Sequence, residues 1–206
     1  MVHKILSVKY LFLLLLTCLL SFSAYSHIDE GLVLHLDMDD TEIEDRSQAN
    51  NDIEIQGQFS NSCGVQDSAV VFDGSSYLNI LTNTNTYFIT NFTLSFYFKP
   101  QGGGTLDQTL FSKSEGCLNS SSFQVLYSPT DNSISIDFSE TFQNSVSLEY
   151  ELDESSCWYH IVIVRVENEH YLYVNNEQVA SANSPTRIRM QNEGFFSMGN
   201  GQCVPS

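Results

Sequence analysis

The chain has 206 residues, with 8 Lys and Arg against 25 Asp and Glu and a formal net charge of −17. A protein that grips a phosphate backbone needs clustered cations, so this composition excludes nucleic acid as a partner. It also sets the surface against anionic membranes.

In chain order, residues 1–26 read as a signal peptide. His3, Lys4 and Lys9 make a basic start, the apolar run 11–20 is broken only by Thr17 and Cys18, and Ala24-Tyr25-Ser26 places small residues where a signal peptidase reads. A comfortable span needs about 20 apolar residues, so no stable membrane span is expected after cleavage. Lipidation at Cys18 competes with this reading, but Thr17 is a poor residue before an acylated Cys. The expected location is secreted, periplasmic or cell-surface. Lys4 and Lys9 would leave with the leader and no acid would, so the net charge falls by two, to −19. The remainder, 27–206, suits one domain with a sizeable core. Gly102-Gly103-Gly104 after Pro100 reads as a loop within it, not a boundary.

Short β-rich runs then follow one another at 32–36, 69–72 and 77–80, with Asp73-Gly74-Ser75-Ser76 as the turn between the last two. Phe92-Thr-Leu-Ser-Phe-Tyr-Phe98 alternates strictly: Phe92, Leu94, Phe96 and Phe98 share one face, and Thr93, Ser95 and Tyr97 the other. A helix would scatter those rings, so this is a strand of a sheet packed on one side. Further runs occupy 109–113, 123–127, 133–138 and 146–150. Residues 157–181 read as three strands, divided by Glu167-Asn168-Glu169 and Asn175-Asn176, and 195–198 closes the set. Many short strands with little helical periodicity predict an all-β, two-sheet antiparallel sandwich or jelly roll.

Four cysteines lie beyond the leader: Cys63, Cys117, Cys157 and Cys203. An even count behind a secretion signal favours two disulfides, with three connectivities open. No Cys-x-x-Cys pair occurs, which argues against zinc or redox chemistry. Asn91-Phe-Thr and Asn119-Ser-Ser are formal glycosylation sequons.

Several segments together resemble a laminin-G-like jelly roll of the concanavalin A-like lectin/glucanase superfamily. Gly31-Leu-Val-Leu-His-Leu-Asp37 resembles its opening strand and Asp45-Arg-Ser-Gln-Ala-Asn-Asn51 its following loop. Ala69-Val-Val-Phe-Asp-Gly-Ser-Ser-Tyr-Leu-Asn-Ile80 resembles its Phe-Asp-Gly strand-turn-strand, and residues 92–100 its Trp-x-Lys-Pro strand, with Tyr97 and Phe98 in the Trp region. Cys157-Trp-Tyr-His160 leading to Arg165 resembles its Trp-x-His-apolar-Arg strand. The resemblance implies a Cys117–Cys203 disulfide, with Cys63 and Cys157 as the second pair. It also implies structural calcium near the Phe-Asp-Gly turn, with Asp73 as a ligand; the competing reading of Asp73 is a turn residue capping its own backbone. A further strand normally follows the Gly-Asn-Gly turn, whereas this sequence ends soon after Gly199-Asn-Gly201, so a C-terminally incomplete domain is expected.

The superfamily includes glucanases, whose retaining members need two carboxyls about 5–5.5 Å apart. Ser135-Ile-Asp137-Phe-Ser-Glu140 and Glu151-Leu-Asp153 are partial matches to the Glu-x-Asp-x-Glu strand, and the first carries Ser135 where the nucleophile belongs. No Gly-x-Ser-x-Gly elbow is present. His160 reads as a partly buried residue bonded to a turn, and Trp158 as a core or sheet-corner residue that would also suit sugar stacking. Tyr77, Tyr87, Tyr97 and Tyr127 are the other rings able to stack on a sugar. The expected role is a secreted, non-catalytic module binding a glycan or an extracellular protein. A laminarinase-like hydrolase and a purely structural module of a larger surface protein are the alternatives.

Overall fold

The computed structural model describes residues 30–101, 104–116, 121–153 and 156–201. The chain divides into a unit ending at Leu32, described only over a turn at residues 30–32, and a unit from Val33 onward. The expected leader, 1–26, lies outside the described residues.

The second unit carries β1 (Ile53–Gln56), β2 (Ser60–Cys63), β3 (Ser68–Val71) and β4 (Tyr77–Ile80), then a 3-10 helix (Thr84–Phe88). β5 (Phe92–Phe98), β6 (Gln108–Lys113), β7 (Ser122–Ser128), β8 (Ser133–Thr141) and β9 (Asn144–Glu151) follow. β10 (Tyr159–Val166), β11 (Glu169–Val174), β12 (Glu177–Asn183) and β13 (Phe196–Met198) complete it. They form a seven-stranded sheet in the order β1-β4-β13-β6-β7-β8-β9, a four-stranded sheet β12-β11-β10-β5 and a two-stranded sheet β2-β3, all antiparallel. This is the expected all-β antiparallel sandwich.

The alternation in the sequence decides which side of each strand meets the other sheet. β5 turns Phe92, Leu94, Phe96 and Phe98 inward, and β10 adds Tyr159, Ile161 and Ile163 from the same sheet. Rings then meet across the two sheets: Phe96 lies 4.6 Å from Phe111, Phe98 lies 5.2 Å from Tyr127, and Phe92 lies 5.9 Å from Phe123. Each fully buried side chain of this kind contributes about 1.5–3 kcal/mol. The meander closes through two-residue turns. Asn175 and Asn176 both take positive φ, 51° and 71°, as a primed hairpin turn requires.

Three inward positions are polar. Arg165 is fully buried, and its guanidinium donates to the carbonyls of Ile188, Phe88 and Thr90, each at 3.1 Å, while lying 5.5 Å from the Phe92 ring. Lys113, also buried, donates through Nζ to Gly194 O at 2.8 Å and Asn192 O at 3.2 Å. His170 is the third, opposite Arg165 in the β10–β11 register. The two cations bind the irregular segments 84–90 and 188–194 to the strand ends, because backbone carbonyls satisfy a buried cation without a second charge.

The structure departs from the sequence reading in its first third. Residues 32–36 do not form a strand; Leu36 makes a single bridge to Asp45. Asp45 organises this region instead. Its carboxylate accepts from the backbone N–H of His35, Ser47 and Asn51, the Ser47 hydroxyl and the Asn51 side-chain amide. Burial alone would raise its pKa, but these donors pull it down to about 2. β1 and β2 are additional strands, and β1 forms one edge of the seven-stranded sheet, paired only with β4. Cys63, at the end of β2, and Cys157, before β10, are exposed free thiols. No bond joins Cys63 to Cys157, which lies in the bend two residues before β10. Cys117 and Cys203 lie outside the described residues.

Candidate functional site on the outer face of the four-stranded sheet

The phase of β5 that faces away from the core carries Thr93, Ser95 and Tyr97, and the same phase of β10 carries His160, Val162 and Val164. Register places Tyr97 opposite His160 and Ser95 opposite Val162. β11 continues the rows with Tyr173 opposite Val162 and Tyr171 opposite Val164. The result is an outer face with Tyr97, His160 and Ser95 at one end and Val162 and Val164 flanked by Tyr173 and Tyr171 further along.

Tyr97 is 56% exposed, unusual for a large ring on a sheet. Its ring stacks on His160, with centroids 4.7 Å apart and planes 21° from parallel. The His160 Nε2 stands 2.9 Å from Ser95 Oγ. The backbone of His160 is pinned in turn by Asn175, whose Oδ1 accepts from His160 N and whose N–H donates to His160 O, each at 2.9 Å. Beside this pair, Lys99 holds its Nζ 5.9 Å from the centroid of the half-buried Trp158 ring. An exposed ring next to a hydroxyl, an imidazole and an ammonium suits a ligand with an apolar C–H face and polar edges.

The other residues singled out in the sequence are committed elsewhere. Tyr127 is buried and donates to Asn132 Oδ1 at 2.9 Å; Tyr87 donates to Asn51 Oδ1 at 2.5 Å; Tyr77 is half-buried opposite Gln56. On β8, Asp137 lies between Gln124 and Ser147 on the outer side of the larger sheet. A bulge between Ser139 and Thr141 removes Glu140 from that alternation, and its Oε2 accepts from Asn144 Nδ2 at 2.8 Å and Arg189 N at 3.3 Å.

Asp73 is spent on its own turn. Its Oδ1 accepts from the backbone N–H and the hydroxyl of both Ser75 and Ser76, at 2.8–3.0 Å. Those donors, the Ser75 N–H foremost, hold its pKa near 2. Among the described residues no three His, Cys, Asp or Glu side chains converge as a metal site. Calcium takes about six to eight oxygens, and no such cluster of carboxylates gathers at Asp73 among the described residues, so the side chains present there do not fit the ion.

These features define a lectin-like jelly roll, and the comparisons place it. Residues 72–205 match a laminin G-type family described as Concanavalin A-like lectin/glucanases superfamily, and the chain belongs to that family. Among curated protein sequences none matches significantly. Similar solved structures include the binding domain of Paraclostridial Mosquitocidal Protein 1, at TM-score 0.68 and 16% identity over 82% of this chain and 44% of that one. The botulinum neurotoxin serotype C1 binding domain follows at 0.65 and 13%, over 84% and 44%. The binding domain of Botulinum Neurotoxin DC in complex with SialylT is similar at 0.63 and 12%, over 84% and 44%. The chain thus spans less than half the length of these domains, and at such identities the likeness is one of fold.

The sequence reading did not single out Ser95 or Lys99 as site residues. The signal was present in the opposite phase of the β5 alternation, but the pairing of β5 with β10, which makes neighbours of Tyr97 and His160, is a long-range fact.

Proposed function

We propose that the chain is a non-catalytic glycan-binding module that works outside the cytoplasm, with Tyr97, His160, Ser95 and Trp158 as its sugar platform. The observation that carries this reading is the exposure of Tyr97 in a fixed stack on His160. A ring held rigidly in solvent gains contact area on binding with little loss of side-chain freedom. The similar binding domains lend support, since one is solved with SialylT and another with rat synaptotagmin II. The basic, apolar leader supports the location, and no helix among the described residues is long and apolar enough to cross a membrane.

Glycan-array screening followed by calorimetry with the chain and its Tyr97→Ala variant tests the reading. The expected result is a saturable glycan ligand whose affinity falls about tenfold in the variant, the loss of one stacking contact, with an unchanged melting temperature. An affinity untouched by Tyr97→Ala, or no glycan bound at all, overturns it.

A further inference from the structure

The ligand class can be narrowed by asking where the few cations of this acidic chain are employed. Arg165 and Lys113 are buried and bonded to backbone carbonyls. Arg46 is paired with Asp37. Arg187 and Arg189 are exposed in the segment between β12 and β13 and make no cation–π contact among the described residues. Lys99 alone is exposed beside the aromatic platform, and among the described residues it forms no ion pair despite the 25 acids of the chain. Its partner is the Trp158 face. A cation over an indole near the 6 Å limit is weakly held, so a ligand anion can recruit it at small cost.

Lys99 follows Tyr97 by two residues, one past the end of β5, and continuing the exposure alternation of that strand puts it on the side of Tyr97, about 7 Å further along the chain at the strand rise. A carboxylate carried on a pyranose stacked on Tyr97 holds its oxygens about 4 Å from the ring centre, and an ammonium bonded to them stands about 2.8 Å beyond, which makes a comparable span. Ser95 lies the same distance the other way and, with His160, meets the hydroxyl edge. We infer that the platform takes a carboxylate-bearing sugar, its ring on Tyr97 and its carboxylate on Lys99. The inference rests on the glycan-binding reading and specifies it.

The test uses pairs of ligands that differ in charge. Oligogalacturonate is compared with its methyl ester, and sialyllactose with lactose, by calorimetry at low salt with the chain, Lys99→Gln and Tyr97→Ala. The two pairs distinguish a uronic from a sialic source of the same group. The expected result is that at least one acidic member binds five- to tenfold more tightly than its neutral partner. Lys99→Gln should erase that preference, bringing the acidic member to the affinity of its neutral partner, and Tyr97→Ala should weaken both. Equal binding of acidic and neutral members, or a preference that survives Lys99→Gln, overturns the carboxylate assignment and leaves the glycan reading standing. No Tyr97-dependent binding to any member ends both. Melting curves of each variant establish that it is folded; Lys99 is exposed and its replacement leaves the core untouched.

Discussion

His170 shows how a single residue sets a condition on the whole sheet. It is completely buried, its ring lies 4.5 Å from Phe138, and Arg165 faces it across the β10–β11 pair. Burial first, and the neighbouring guanidinium second, disfavour the imidazolium; the carbonyls of Ala182 and Asn168 work weakly the other way, and the pKa is lowered from 6.5. A base with a depressed folded pKa binds fewer protons folded than unfolded. Its contribution is therefore complete above pH 6.5 and is lost as pH falls below that value. In urea titrations the protein should hold its stability from pH 7.5 to about 6.5 and lose it as pH falls further towards 5, with a slope bounded by the one-proton limit of about 1.4 kcal/mol per pH unit. His170→Leu should flatten that slope. Asp45 acts in a separate window: with its pKa near 2 against an ordinary 3.8, its contribution is present above pH 3.8 and is lost only as pH falls towards 2. An equally steep slope in His170→Leu would assign the acid sensitivity to another group.

At the scale of elements, the segment before β13 is tied to the end of β6 by an approach that only glycine permits. A Cβ on Gly194 would stand 2.2 Å from the Ser114 carbonyl oxygen, a contact that must push the strands apart. Gly194 O is also the nearer acceptor of the buried Lys113 ammonium, whose pKa burial lowers to about 8. Gly194→Ala should therefore cost about 2–4 kcal/mol, because relieving the clash displaces the segment and with it the carbonyl that the buried cation bonds. Chemical denaturation checks this, and a loss below about 0.5 kcal/mol would show that the segment can shift freely. Elements differ in how plainly the sequence announces them. β5 and β7 to β11 are legible because each turns alternate side chains inward, whereas β12 pairs with β11 through a bulge and packs only Val179, Ala180 and Ala182. β2, Ser60-Asn-Ser-Cys63, has no apolar residue and is a strand only through its pairing with β3. The run 32–36 has the right alternation, yet Asp45 gathers its neighbours by side-chain bonds and leaves one bridge where a ladder was expected. The inward phase of Arg165 and His170 could be read from Ile161, Ile163, Leu172 and Val174, but not the carbonyls that meet the Arg165 guanidinium, nor that both His170 ring nitrogens stay unpartnered. The candidate site was half legible for the same reason: Tyr97 was named, while its stack on His160 depends on a register between strands more than 60 residues apart.

Across the whole molecule the charge imbalance has no internal remedy. The chain carries a net −17, and the described residues contain one ion pair, Arg46–Asp37, with the Arg46 side chain 64% exposed. A pair so exposed contributes at most about 1 kcal/mol, so salt has little attraction to screen away. It has much repulsion to screen, since the acids lie on a surface where the Debye length shrinks to about 8 Å at physiological ionic strength. Raising NaCl from 20 to 500 mM should therefore raise the melting temperature by roughly 3–6 °C, in contrast to the fall expected of a fold held by surface salt bridges. The same measurement separates screening from a bound cation. With Asp73 occupied by Ser75 and Ser76, adding 1 mM calcium chloride at 150 mM NaCl should move the midpoint no further. A rise reversed by EDTA would instead mean that calcium displaces those serine donors. A fall in midpoint with NaCl would mean that attractions, not repulsions, dominate the acidic surface.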